Sequence, residues 1–211
     1  MPEQGGALLV CNHVSRLDGP LLLLACPRPV RIIADVDFFK GPLLSWVAET
    51  YKMIHLSPTM GPKGIVNALK TAREVAEKGE LVCIFPEGEL TKNGQLGEFH
   101  RGMMKIVQGG NIPVIPVNLG GLWGSIFSYS KGRLFWKKPT TWPYPVTVRF
   151  GKPIPSPESV HQIRQAVQNL GVETVENHQF KQLVPARRFL RRCRRNLSKT
   201  KVADSSGAEL T

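Results

Sequence analysis

Residues 12–18 read NHVSRLD and residues 85–88 read FPEG, and each turn follows a short apolar run, ALLVC (7–11) and LVCIF (81–85). Two runs of strand length, each ending in a polar turn, predict strand ends that line one crevice, the usual ligand position in an open α/β sheet. His13 and Asp18 stand five positions apart, so a turn or a helix start must bring them together. The apolar LLLLAC that follows reads as a core helix with Asp18 near its first turn, where the helix dipole favours a carboxylate. A carboxylate beside a histidine fixes the imidazole tautomer and stabilises the imidazolium, which suits the pair to general-base work. No Ser or Cys stands in a nucleophile elbow, so such a base would act on a hydroxyl of the substrate. The plainer alternative makes Asp18 an N-cap and His13 a loop residue satisfied by backbone. In FPEG, Pro86 and Gly88 predict a turn; Glu87 is then a surface carboxylate, a contact to a substrate hydroxyl, or a group that orients the base.

Working outward, VRIIA (30–34), MIHL (53–56), VIPVNL (114–119) and VTVRF (146–150) are further apolar or β-branched runs of strand length. Between them, residues 63–78 place Ile65, Ala68, Leu69, Ala72, Val75 and Ala76 on one helical face, with Gly79 as the stop. Residues 101–108 predict a short helix, and residues 159–169 a final one capped by Ser156. Strands alternating with helices predict a layered α/β domain. At 211 residues the chain has room for one domain with a full core, and too little for two ordinary ones. Residues 120–145 break the rhythm with Trp123, Trp136, Trp142, Tyr129 and Tyr144, and read as a long irregular loop or hairpin of the kind that carries function.

Composition narrows the classes. Hydrophobic residues at 42% and charged residues at 21% suit a soluble globular domain rather than a disordered one. No apolar stretch reaches the roughly 18–20 residues that span a bilayer, and the start, MPEQGGALLV, lacks the positive region of a signal peptide. Cys11, Cys26, Cys83 and Cys193 show no metal-ligand spacing and read as buried reduced thiols in a cytosolic protein. The net charge of +12 is uneven: Arg187, Arg188, Arg191, Arg192, Arg194, Arg195, Lys199 and Lys201 crowd into residues 187–201 with no acid among them.

The combination of blocks resembles the glycerolipid acyltransferase family, whose members acylate glycerol-3-phosphate, lysophosphatidate and other lysophospholipids. NHVSRLD matches its N-H-x-x-x-x-D block, FPEG its F-P-E-G block and VIPVNL its V-x-P-V strand, while EFHRG resembles the Arg-Gly segment that follows. The resemblance covers roughly residues 5–155 in order and spacing. It implies a mixed sheet flanked by helices, with the acyltransferase core in residues 1–155, a C-terminal helical part in 156–184 and a basic tail in 185–211. It implies His13 as the base and Asp18 as its partner, with Asn12, Phe85, Pro86, Glu87 and Gly88 around the acceptor; the backbone of the FPEG turn would serve the oxyanion. Two departures bear on the acceptor. Glu89-Leu90-Thr91 replaces the common Thr-Arg-Ser after F-P-E-G, and MIHLSP lacks the Arg that usually ends its block. Lys92, Arg101 and Lys105 are the remaining cations for a phosphate, which favours a masked head group such as 2-acyl-glycerophosphoethanolamine.

GELVCIFPEGELTKNGQLGEF and LGGLWGSIFS are most similar to the branch that carries this domain in bifunctional acyltransferase and acyl-acyl-carrier-protein synthetase proteins. VADSSGAELT resembles the opening of the adenylate-forming ligase domain, so the chain is expected to be a fragment or descendant of such a fusion. The basic tail reads as a membrane-surface helix, a nucleic-acid arm or a solvated linker. Phe189, Leu190, Cys193 and Leu197 fall close to one helical face, which favours the membrane over nucleic acid. The expectation is a peripheral enzyme on the cytoplasmic membrane face, with the aromatic loop 120–145 and the apolar segment 38–48 as its lipid-facing wall. It would move an acyl chain from acyl-CoA or acyl carrier protein to a lysophospholipid, with no cofactor and no metal. The alternative is a non-catalytic lipid-binding module of a fused synthetase.

Overall fold

The computed structural model describes residues 3–35, 42–132, 134–135, 144–182, 202–203 and 209–210. Strands β1 (Ala7–Cys11), β2 (Val30–Ala34), β3 (Ile54–His55), β4 (Leu81–Ile84), β5 (Val114–Gly120) and β6 (Thr147–Phe150) form one sheet in the order β3-β2-β4-β1-β5-β6. All neighbours pair parallel except β5 and β6, which are antiparallel. The mixed sheet expected from the sequence is present. Every residue of β1 and β4 is buried, the mark of central strands covered on both faces, and this is why they read as unbroken apolar runs.

Side chains alternate across the sheet. On one face Leu8, Val10, Val82, Ile84 and Val114 meet three helices: α3 (Gly61–Glu77) through Leu69 and Ala72, α4 (Met104–Val107) through Ile106, and α5 (Val160–Gln182) through Ile163 and Val167. On the other, Ala7, Leu9, Cys11, Leu81, Cys83, Ile115 and Val117 pack with Leu22 of helix α1 (Asp18–Ala25). Each fully buried Leu or Ile contributes about 2 kcal/mol by leaving water. A further helix, α2 (Pro42–Thr50), lies between β2 and β3 in the chain.

Three local expectations are corrected. The LLLLAC run is not a core helix: Leu22 is buried, but Leu24 is 83% exposed. The 101–108 helix is a 3-10 turn, Arg101–Met103, running into the single turn of α4. Helix α5 is capped by Ser159 rather than Ser156, since the Gln162 N–H donates to Ser159 Oγ at 3.2 Å.

By contacts the chain divides into two compact units, Met1–Gly171 and Val172–Thr211. In the second, β7 (Val202–Ala203) and β8 (Glu209–Leu210) pair antiparallel. The basic stretch at 187–201, with Cys193, lies outside the described residues. Among the described residues, no helix is long and apolar enough to cross a membrane.

Candidate active site

Because β1, β4 and β5 run parallel, their carboxyl ends lie at one edge of the sheet, and the chain leaves them into NHVSRLD, FPEG and the aromatic loop. Asp18 opens α1 and is fully buried. Its Oδ2 accepts from the backbone N–H of Val14 at 2.6 Å and of Ser15 at 2.9 Å, and its Oδ1 accepts from Ser15 Oγ at 2.7 Å. His13 Nδ1 stands 2.8 Å from the same Oδ2. An oxygen already gathering N–H groups calls for a donor from the ring, so Nδ1 carries the proton and the lone pair falls on Nε2. The His13 side chain is 24% exposed, and its ring stacks on Phe85 with centroids 4.4 Å apart. The N-cap alternative for Asp18 is thereby replaced: its carboxylate folds back onto the turn before the helix.

The FPEG loop grips the same histidine through its main chain. Glu87 Oε1 accepts from the His13 N–H at 2.8 Å, and Glu87 Oε2 accepts from the Gly97 N–H at 2.8 Å. The Thr91 N–H donates to the His13 carbonyl at 2.9 Å. Of the three readings of Glu87, the surface one is corrected; both carboxylate oxygens hold backbone. Burial pushes the Glu87 carboxyl up, against the lowering effect of the His13 and Gly97 N–H bonds. Gly88 has φ of +72°, a conformation glycine takes without strain. Its N–H closes the turn onto the Phe85 carbonyl at 3.1 Å, so that amide is already engaged rather than free for an oxyanion.

Asn12 is likewise used within the fold. Its Nδ2 donates to the Leu119 carbonyl at 3.0 Å and its Oδ1 accepts from the Leu119 N–H at 2.7 Å. This clamps the end of β1 to β5, and the residue is buried, so the expected substrate contact at Asn12 gives way to a structural one. Pro86 is buried as well. Lys92 pairs with Glu89 at 2.9 Å on the exposed surface, which lowers the Glu89 carboxyl and raises the Lys92 amine. Arg101 is exposed on its 3-10 turn. The aromatic loop docks on the His13 turn, with the Arg16 N–H donating to the Phe127 carbonyl at 3.1 Å and Ser15 bridging Ser128. Its residues 133 and 136–143 lie outside the described residues, as do residues 38–41 of the other proposed wall; Trp46 in α2 is exposed.

Ser15 Oγ is committed to Asp18 and to the Leu17 N–H, so it is not poised as a nucleophile. Burial raises the Cys11 and Cys83 thiols far above the ordinary range and Cys26 to about 11, which leaves all three inert near neutrality. Among the described residues, no group of three His, Cys, Asp or Glu could hold a metal ion. A cavity of about 600 Å³ lies at the far edge of the sheet between β3 and α3, lined by Arg31, His55 and Asn67 among others, and does not include His13.

This constellation of buried aspartate, oriented histidine and strand-end glutamate falls within residues 1–120, which match the family model described as Acyltransferase. The chain belongs to that acyltransferase family. It is 34% identical over 112 residues to the chloroplastic 1-acyl-sn-glycerol-3-phosphate acyltransferase of Brassica napus, covering 53% of this chain and 32% of that protein. A probable 1-acyl-sn-glycerol-3-phosphate acyltransferase of Mycoplasma genitalium is 28% identical over 161 residues, 74% of this chain and 59% of the relative. The crystal structure of the lysophosphatidate acyltransferase PlsC of Thermotoga maritima matches with a TM-score of 0.60 at 22% identity, over 83% of this chain and 67% of that one. That likeness establishes the acyltransferase fold. The chain spans 32% of the plant relative and 59% of the mycoplasmal one.

Sequence reasoning singled out His13, Asp18 and Glu87 but missed the residues that hold them. Ser15, Thr91 and Gly97 act through backbone or short hydroxyl contacts that no spacing rule marks. Arg164, which reaches the same loop from α5, lies in an ordinary amphipathic helix with no motif around it.

Proposed function

We propose that this acyltransferase moves a fatty acyl group from a thioester to the free hydroxyl of a lysophospholipid, with His13 as the base. The observation that carries the reading is the His13–Asp18 contact at 2.8 Å, which fixes Nδ1 as donor and turns the basic Nε2 away from the carboxylate. Nε2 takes the proton of the acceptor hydroxyl as its oxygen attacks the thioester carbonyl. The tetrahedral adduct then collapses with loss of the carbon–sulfur bond, and the imidazolium returns the proton to the departing thiolate. The products are the ester and a free thiol. Asp18 supports the imidazolium between the two steps.

The family and the names of its relatives support lysophosphatidate as the acceptor class. A zwitterionic head group such as 2-acyl-glycerophosphoethanolamine is favoured by one observation: Lys92 is neutralised by Glu89, and Leu90 offers no cation beside it. The donor is acyl-CoA or an acyl carrier protein. The basic residues 187–201 suit attachment to an anionic membrane surface.

The test is thiol release from acyl-CoA and from acyl carrier protein, each with lysophosphatidate and with 2-acyl-glycerophosphoethanolamine. Release should require an acceptor and vanish in His13→Ala with the fold retained. Substantial turnover by that variant removes His13 as base, and a folded wild type inert with every pair favours a non-catalytic lipid-binding module.

A further inference from the structure

Arg164 lies on α5, far along the chain from every family block, yet its guanidinium reaches the loop that follows FPEG. Nε donates to the Gly97 carbonyl at 2.8 Å and Nη2 to the Leu96 carbonyl at 2.8 Å. This two-pronged grip on consecutive carbonyls fixes the orientation of the 96–97 peptides. The Gly97 N–H in turn donates to Glu87 Oε2, and Glu87 Oε1 holds the His13 N–H, each at 2.8 Å. The fit around Gly97 is close: a Cβ there would come within 2.9 Å of Glu87 Oε2. The helix is anchored in the core beside the arginine, since Ile163 and Val167 are fully buried. Arg164 therefore projects from a fixed base.

We propose that Arg164 is a positioning residue for the base, acting through the Leu96–Gly97 backbone and the Glu87 carboxylate on the main chain of His13. The role rests on the reading of His13 as base. The physical argument is one of alternatives. Without the fork, the 96–97 peptides are free to turn, and Glu87 loses a donor to one of its two oxygens. A half-buried carboxylate short of one donor then seeks another partner. His13 keeps its side-chain bond to Asp18, so the tautomer survives, but the ring's placement relative to an incoming hydroxyl does not. Lysine cannot replace the arginine, because an ammonium on one stem does not present two donors in a fixed plane.

The experiment compares wild type, Arg164→Gln, Arg164→Lys, Glu87→Gln and the double variant Arg164→Gln/Glu87→Gln. Turnover is followed with palmitoyl-CoA and with palmitoyl-acyl carrier protein, each with 1-acyl-glycerol-3-phosphate or 2-acyl-glycerophosphoethanolamine. Amide exchange of His13 is read by NMR in the same samples. A misplaced base should lower kcat on the order of 100-fold in Arg164→Gln, with KM unchanged, and methylguanidinium should restore part of it. In the Glu87→Gln background the same change should cost no more than about twofold, because both act on one path. Exchange at the His13 amide should rise about tenfold in both Arg164 variants as the local clamp opens. Full kcat in a folded Arg164→Gln, additive losses in the double variant, or unaltered His13 exchange would each overturn the proposal. If Arg164→Gln does not fold, Arg164→Lys decides by the same readouts. If the wild type turns over neither acceptor, the assignment of His13 fails, while His13 exchange still decides whether Arg164 holds that backbone.

Discussion

Replacing Asp18 by Asn separates the two tasks of that carboxylate. The amide oxygen can take the place of Oδ2 and keep the bonds from His13 Nδ1, the Val14 N–H and the Ser15 N–H, which lie at 2.6 to 2.9 Å. The amide nitrogen then faces Ser15 Oγ, 2.7 Å from the present Oδ1, and the hydroxyl can turn to accept. The turn and the tautomer therefore persist, and what disappears is the charge. With the centres of the imidazolium and carboxylate charges roughly 4 Å apart, an effective dielectric of about 20 gives an attraction of about 4 kcal/mol. Partial exposure of His13 screens part of this, so about 2–4 kcal/mol of support for the imidazolium is lost, or roughly 30- to 1000-fold in kcat. Asp18→Ala is a different perturbation. It strands two buried backbone N–H groups at about 1–3 kcal/mol each, a large share of the roughly 5–15 kcal/mol that holds a domain together. Thiol-release kinetics and urea melts on both variants check the reasoning. Asp18→Asn with kcat within about threefold of wild type would refute the electrostatic role, and an Asp18→Ala as stable as wild type would refute the accounting of buried donors.

Asn12→Ala should lower stability by about 1–3 kcal/mol, because both backbone groups of Leu119 lose their partner in a buried place; the urea midpoint should fall with the slope unchanged. The paired bonds from Arg31 to Glu80, at 2.6 and 2.7 Å, hold the Glu80 carboxyl below its usual range. Its stabilisation is therefore present above the ordinary carboxylate value and lost as pH falls through the depressed folded value. Glu80→Gln should flatten the melting temperature against pH between about pH 5 and pH 2, and an unchanged acid slope would remove the pair from the account.

Strand 7–11 was legible because burial on both faces leaves no choice of residue, and 30–34 because β-branched residues dominate it; both match the observed β1 and β2 at both ends. Helix α3 was legible from its apolar face, with Ala68, Leu69, Ala72, Val75 and Ala76 buried as the spacing requires. Helix α1 misled because apolar sequence does not guarantee burial, and nothing in LLLLAC distinguishes Leu22 from Leu24. At the site, His13 and Asp18 were legible because their chemistry is in their side chains. Asn12 and Glu87 drew attention for the same reason, but their partners are main-chain groups 107 and 74 residues away. Long-range backbone hydrogen bonds carry no residue code. Arg164 stayed hidden on that account, since any carbonyl pair would receive it equally well.

The central place of β1 carries a consequence for the chain as it is made. The strand that leads into His13, β1, precedes its neighbours β4 and β5, which begin only at Leu81 and Val114. During synthesis His13 waits beside an unpaired apolar strand until those neighbours have followed it. Local contacts alone cannot complete the site, because Glu87 and Thr91, which hold the His13 main chain, arrive only after β4. A half-finished chain can form the local His13–Asp18 contact but not the hold of Glu87 and Thr91 on the His13 backbone, so the completed site marks the closure of the sheet.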